Sequence, residues 1–306
     1  LKKMNEIKFT KHALFISMFA VASGAQAVTL QLGGSLDDQT VFANTYITSG
    51  AGGFQTIYGN TLSNQDTTIG ASGEVTGNTQ SRDLTTGASG LIGGNALTSG
   101  ASTLGASSIV SGNLQSGGAV TLGASAGVTG TIQYGTVITN GASATSGVQS
   151  QNTAPPVIAD ESAGVSAAQT TLNNLATTNT IAPGDIAAST TFLSGVYNVA
   201  GLLSTTAGIT LTLDASGGGD FVFNVDNYLS FGAGTVINVI NASADTSVVW
   251  NATGGYVSIG ANADIVGTIL ANTYVSTGAG SMVAGTGSTD NLCGGVYSAT
   301  SYVSVG

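Results

Sequence analysis

Thr103-Leu104-Gly105-Ala106-Ser107-Ser108-Ile109-Val110-Ser111-Gly112-Asn113-Leu114-Gln115-Ser116 leads, at Thr121, into the same opening again, Thr121-Leu122-Gly123-Ala124-Ser125. Gly-Ala-Ser begins at Gly70, Gly87, Gly105, Gly123 and Gly141, an almost constant period. Looser copies begin at Gly50, Gly232, Gly260 and Gly278. A hydroxyl residue stands two places before each of these glycines: Thr48, Thr68, Thr85, Thr103, Thr121, Thr139, Ser230, Ser258 and Ser276. A second column, apolar-x-Gly-Asn/Thr, recurs inside the repeat at Ile57, Val75, Ile92, Val110, Val128, Ile265 and Val283. Its Gly-Asn pairs suit corners, since both residue types tolerate positive φ.

Self-similarity at this period is the mark of a stacked repeat architecture. Three short strands and three corners per repeat predict an all-β-dominated fold, a right-handed three-sided β-solenoid of about 18 residues per turn. Turns would stack at about 4.7–4.9 Å. Alternation along a strand sends Leu122 and Ala124 one way and Thr121 and Ser125 the other. Leu and Ala then fill a narrow interior, beside Val128 and Ile132. Pro155-Pro156 closes the first block of repeats. Val165, Ala168, Leu172 and Leu175, spaced 3, 4 and 3, form the apolar stripe of a helix. That helix is expected within 157–180, with Asp160 as its N-cap and Glu161 in its first turn. The expected organisation is a leader at 1–27 and one domain over 28–306, with N-terminal repeats at 28–154, the helix, and C-terminal strands at 190–306. The order in which the two sets of turns stack stays open.

Composition narrows the chemistry. Of the five Lys+Arg residues, four are Lys2, Lys3, Lys8 and Lys11, and the single histidine is His12. All precede an apolar run, Ala13 to Ala22, and the small-x-small site Ala25-Gln26-Ala27, the pattern of a cleaved signal peptide. Beyond Ala27 one cation, Arg82, faces fourteen of the fifteen carboxylates. No imidazole base, zinc-binding histidine, Schiff-base lysine or P-loop lysine is then available. Nucleic-acid binding is excluded on charge, and no apolar run of membrane-spanning length follows. The expectation is a secreted or periplasmic, monomeric protein without cofactor, metal or catalytic residues. Cys293 stands alone and reads as a small buried apolar residue. The acids form no calcium-binding series; Asp214 to Asp220 reads as a turn and Trp250 as buried packing, with Tyr256 and Tyr274 nearby.

Ser194-Gly195-Val196-Tyr197, Leu211-Thr212-Leu213-Asp214-Ala215, Asp220-Phe221-Val222-Phe223-Asn224-Val225, and Val249-Trp250 leading to Ile265-Val266-Gly267-Thr268-Ile269-Leu270-Ala271 resemble the microbial ice-binding (antifreeze) protein family. The resemblance covers roughly residues 157–306. It implies a discontinuous β-solenoid with one long helix alongside, and an ice crystal surface as partner. The candidate ice-binding residues are then Thr68, Ser72, Thr85, Ser89, Thr103, Ser107, Thr121, Ser125, Thr139, Ser143, Ser258, Asn262 and Ser276. Stiff β-branched Thr and small Ser would make a flat hydroxyl grid on an ion-free face. The other reading is an extracellular adhesin or matrix solenoid that binds polysaccharide.

Overall fold

The computed structural model describes residues 32, 36–50, 55–243, 245–285 and 294–306. The leader at 1–27, Ala51-Gly52 of the first looser repeat, and Cys293 lie outside the described residues. Every strand pairing among them is parallel, and the strands lie in stacked sheets of 13, 12, 6 and 5 strands. Successive strands are dealt in turn to different sheets. Val41–Ala43 joins the first, Tyr46–Ser49 the second and Thr56–Ile57 the third. The next circuit adds Thr61–Ser63, Asp66–Ile69 and Glu74–Val75 beside them. Leu114 lies opposite Ala96 on one side and Ile132 on the other.

The order of stacking is not the order of the chain. The last strands, Val296–Ser298 and Val303–Val305, pair with the first, Val41–Ala43 and Tyr46–Ser49. Both described ends of the chain therefore meet in the middle of the stack. The N-terminal turns run outward from this seam to Gln149–Gln151, and the C-terminal turns run the other way to Asn179–Ile181.

The helix is Ser162–Asn173, three turns and shorter at both ends than expected. Glu161 rather than Asp160 holds the N-cap position. The Asp160 carboxylate nonetheless accepts the Ser162 N–H at 3.0 Å and its hydroxyl at 2.7 Å. It also accepts Asn64 Nδ2 at 2.6 Å, which ties the helix start to a strand corner. Val165, Ala168 and Leu172 are buried against Phe42, Leu62, Val222, Val249, Leu270 and Tyr297 on the outer face of the 13-stranded sheet. That sheet is thereby covered over its middle.

Inside the N-terminal turns the core is small: Leu84, Ile92, Leu104, Val110, Leu114, Leu122, Val128 and Ile132. Inside the C-terminal turns it is aromatic. Trp250 is buried as expected, stacks on Phe223 with ring centroids 4.2 Å apart, and meets Phe231 edge-on at 5.0 Å. One expectation fails here. Ala124 is exposed while Leu122 is buried, because the strand ends at Leu122 and Gly123 to Ala126 is a turn, closed by the Ala126 N–H to the Gly123 carbonyl at 3.1 Å. The interior also holds hydroxyls that alternation alone does not predict. Buried Ser81 donates to the Asp83 carbonyl at 2.9 Å, and Ser116 to the Gly100 carbonyl at 2.7 Å. These side chains add a bond from inside to corner carbonyls; that of Gly100 also accepts the Gly118 N–H at 2.8 Å.

The second repeat column forms a different kind of corner from the one expected. Asn60, Asn78, Asn95 and Asn113 each accept, through Oδ1, the backbone N–H of the residue one turn on, at 2.7–2.9 Å. Gly59 alone among the N-terminal corner glycines has a positive φ, 108°. At Gly77, Gly94, Gly112 and Gly130 a Cβ would lie 2.6 Å or closer to the Asn Oδ1 of the preceding turn. Close approach, and not backbone handedness, requires glycine there.

Candidate functional site

The 12-stranded sheet runs the length of the stack without the helix across it. Its strand order is Ile138–Asn140, Val120–Leu122, Ser102–Leu104, Asp83–Thr86, Asp66–Ile69, Tyr46–Ser49, Val303–Val305, Val275–Thr277, Val257–Ile259, Leu229–Phe231, Leu203–Thr205 and Gly184–Ile186. On the remaining side, the 6- and 5-stranded sheets are separate among the described residues.

In the strands of this open sheet a central residue points outward between inward neighbours, as Thr103 does between buried Ser102 and Leu104. Pairing registers place Thr139, Thr121, Thr103, Thr85, Thr68 and Thr48 in one column. Across the seam Thr48 lies opposite Ser304, and the column continues through Ser276, Ser258, Ser230 and Ser204 to Asp185. Seven of the candidate residues therefore share one line: Thr68, Thr85, Thr103, Thr121, Thr139, Ser258 and Ser276. The five threonines are exposed and the two serines half-buried.

The other six candidates are on the adjoining corner, not on the strand. Ser72, Ser89, Ser107, Ser125 and Ser143 have φ of 57–60° and Asn262 has φ 55°, the left-handed region. They occupy the third place of the tight turn that follows each strand, so the alternation that relates Thr121 to Ser125 in the sequence stops before the serine. Each corner stacks on the next: Ser107 N–H donates to the Ala124 carbonyl at 2.9 Å and Ser125 N–H to the Ala142 carbonyl at 2.8 Å. The serines and Asn262 form an exposed line of their own beside the threonine column.

A further column lies two residues before the first on the same face. At the N-terminal end it is Val137, Ala119 and Ala101, and then Asp83 and Asp66. These two carboxylates hold Arg82 at 2.9 and 2.6 Å, half exposed, and Asp83 also accepts the Ala101 N–H at 2.6 Å. The face is thus not free of ions, as composition suggested. The one cation beyond Ala27, Arg82, is clamped beside Thr68 and Thr85. From the seam onward the same column is five tyrosines: Tyr46, Tyr302, Tyr274, Tyr256 and Tyr228. Their rings stack in sequence at 4.8–4.9 Å, within 6° of parallel. Tyr256 and Tyr274 therefore stand apart from buried Trp250, on the open face. The signal for this row was present as Tyr-apolar-Ser/Thr at Tyr46, Tyr228, Tyr256, Tyr274 and Tyr302.

Two acids of the C-terminal turns have structural partners. Asp214 accepts Asn241 Nδ2 at 2.8 Å and the Ser216 N–H at 2.9 Å, contacts that hold its carboxyl below the usual range. Buried Asp220 accepts the N–H and hydroxyl of Ser247, both at 2.8 Å. Among the described residues no group of three or more His, Cys, Asp or Glu could hold a metal ion, and no helix is long and apolar enough to cross a membrane.

The fold has known relatives. The family model described as Ice-binding-like matches residues 96–305. The chain belongs to the Ice-binding-like family. Among solved structures, one similar chain is an ice binding protein from an Antarctic biological consortium, 14% identical, with TM-score 0.50 over 95% of this chain and 93% of that one. Another is the ice-binding protein of the Antarctic ascomycete Antarctomyces psychrotrophicus, 16% identical, with TM-score 0.43 over 90% and 97%. At such identities the first likeness speaks for the fold. No curated protein matches the chain.

Proposed function

We propose that this protein binds ice through the open 12-stranded sheet, and so limits ice growth and recrystallisation. In this reading it is a secreted, monomeric, non-enzymatic protein without cofactor. The leader at 1–27 is removed and 28–306 acts as one domain. The fold is a right-handed three-sided solenoid; its N-terminal turns take about 18 residues, as between Leu114 and Ile132, whereas most C-terminal turns are longer than the 18 expected, as between Phe221 and Val248; parallel crossovers are right-handed in nearly all cases. The contact residues are Thr68, Thr85, Thr103, Thr121, Thr139, Ser258 and Ser276, with the corner residues Ser72, Ser89, Ser107, Ser125, Ser143 and Asn262 along their edge.

One observation carries the reading. A registered column of small hydroxyl side chains runs along a sheet that no other described element covers, in a chain of the Ice-binding-like family. Strand pairing sets its spacing at about 4.7–4.9 Å, a repeat that a crystalline partner can meet many times at once. Thr χ1 is stiff and the backbone is paired on both sides, so little entropy is lost on docking.

The test is thermal hysteresis and recrystallisation inhibition of purified protein beside the Thr103→Arg/Thr121→Arg variant. The variant should keep its melting temperature and lose ice activity. Retained activity would move the site to another face, and an inactive parent protein would end the ice-binding reading.

A further inference from the structure

We infer that the tyrosine row Tyr46–Tyr302–Tyr274–Tyr256–Tyr228 is a second ice-contacting strip on the C-terminal half of the open sheet. The inference rests on the proposed function and extends it to residues that neither the repeat nor the family match assigns. Four observations carry it.

The row is in register with the hydroxyl column. Each tyrosine precedes its Ser or Thr by two places on the same strand face, at about 6.7 Å from the strand rise. Five turns therefore carry a grid of two columns. Its phenol–hydroxyl pairs are Tyr228 with Ser230, Tyr256 with Ser258, Tyr274 with Ser276, Tyr302 with Ser304 and Tyr46 with Thr48.

The row is rigid and flat. Centroid spacings of 4.8–4.9 Å equal the strand spacing, and successive rings lie within 1–6° of parallel. Each inner ring is held by two others, so its two side-chain torsions are fixed before any partner arrives. Since ring faces are turned to one another, the row offers solvent its edges and hydroxyls. A sugar ring stacks on an aromatic face, and here the faces are occupied along the row, which argues against a polysaccharide platform.

The strip is neutral. From Tyr46 to Tyr228 neither column contains a carboxylate or a cation, whereas the N-terminal half has the Asp66–Arg82–Asp83 clamp beside its threonines. A fixed charge holds its own hydration shell and resists being covered. Burial and the neighbouring phenols of Tyr256 and Tyr302 also push the Tyr274 hydroxyl upward from its ordinary range, which keeps it uncharged.

The strip is continuous with the threonine column. Tyr46 stacks on Tyr302 where Thr48 lies opposite Ser304, so the two halves meet without a step in register.

The test compares the full chain with Tyr274→Lys, Tyr228→Lys and Thr103→Arg in an ice-affinity partition, with circular dichroism and melting to verify the fold. Tyr274→Lys should lower the ice-bound fraction about tenfold, through a charge that must be desolvated on contact. If Tyr274→Lys does not fold, Tyr228→Lys, which gives up a single stacking partner, decides instead. A folded lysine variant that partitions like the parent, while Thr103→Arg is lost, overturns the tyrosine strip and leaves the ice-binding reading standing. A parent protein that stays out of the ice overturns both.

Discussion

Replacing Asn95 by Ala should destabilise the protein by about 1–2 kcal/mol. The magnitude follows from the corner ladder. Asn95 Oδ1 accepts the Asn113 N–H at 2.8 Å, and Asn95 Nδ2 donates to Asn78 Oδ1 at 3.2 Å. Alanine removes both and leaves the Asn113 N–H without its acceptor on this corner. Each such bond contributes a net of about 0.5–1.5 kcal/mol, and the corner is exposed, so water recovers part of the loss. For a chain of this size 1 kcal/mol moves the melting temperature by about 2–4 °C. Asn95→Ala should therefore melt about 2–8 °C lower by calorimetry. Thr131→Ala is the control. Thr131 ends the ladder, and its hydroxyl makes one 3.1 Å bond to Asn113 Oδ1, so its loss should be well under half as large. Gly112→Ala attacks the same corner from the other side, since its Cβ would lie 2.5 Å from Asn95 Oδ1; overpacking of this kind costs about 1–3 kcal/mol. Equal melting of Asn95→Ala and the parent, or equal losses for Asn95→Ala and Thr131→Ala, would refute the ladder as a source of stability.

Trp250→Ala should cost about 3–5 kcal/mol in denaturant unfolding, because it empties the centre of the aromatic core and leaves the Val266 carbonyl without the indole N–H now 2.9 Å away. Asp160→Ala should cost about 0.5–1 kcal/mol, the low end for a helix-start carboxylate because this one is largely exposed. Hydrogen bonds from Ser162, and then from Asn64, hold the Asp160 carboxyl below its ordinary range. Its contribution is thus present above the unfolded carboxylate range and is lost as pH falls through the lowered folded value. Melting curves of the parent and Asp160→Ala should converge as pH drops below about 4.

What could be read in the sequence was whatever depends on neighbours along the chain. Thr121 outward and Leu122 inward follow from strand alternation, and Val165, Ala168 and Leu172 mark the buried stripe of the helix. The same alternation, carried past the end of the strand, predicts Ser125 on the face; its left-handed φ of 58° puts it on a corner. Gly112-Asn113 was recognisable as a corner, but its cause was not. The glycine makes room for the Asn95 side chain of the preceding turn, a contact visible only once the turns are stacked. The tyrosine row was obscured for the same reason. Tyr228, Tyr256, Tyr274 and Tyr302 are unevenly spaced along the chain, and Tyr46 lies near its other end.

The seam explains why a helix accompanies the stack at all. Where Val41–Ala43 meets Val296–Ser298, segments from opposite ends of the described chain must pair in register, and only three residue pairs hold the two strands together. The helix buries apolar side chains from both sides of that join: Phe42 and Leu62 from the N-terminal turns, and Val222, Val249, Leu270 and Tyr297 from the C-terminal turns. Each such burial contributes about 1.5–3 kcal/mol, and together they outweigh the few strand hydrogen bonds at the join. The Tyr297 hydroxyl adds a bond to the Gln39 carbonyl at 2.6 Å, again across the seam. A slip of one residue here would turn Thr48 inward and break the line from Thr68 to Ser304 on the open sheet. The helix on the covered sheet therefore fixes the alignment of the open one, and the register of the hydroxyl column depends on residues that never reach it.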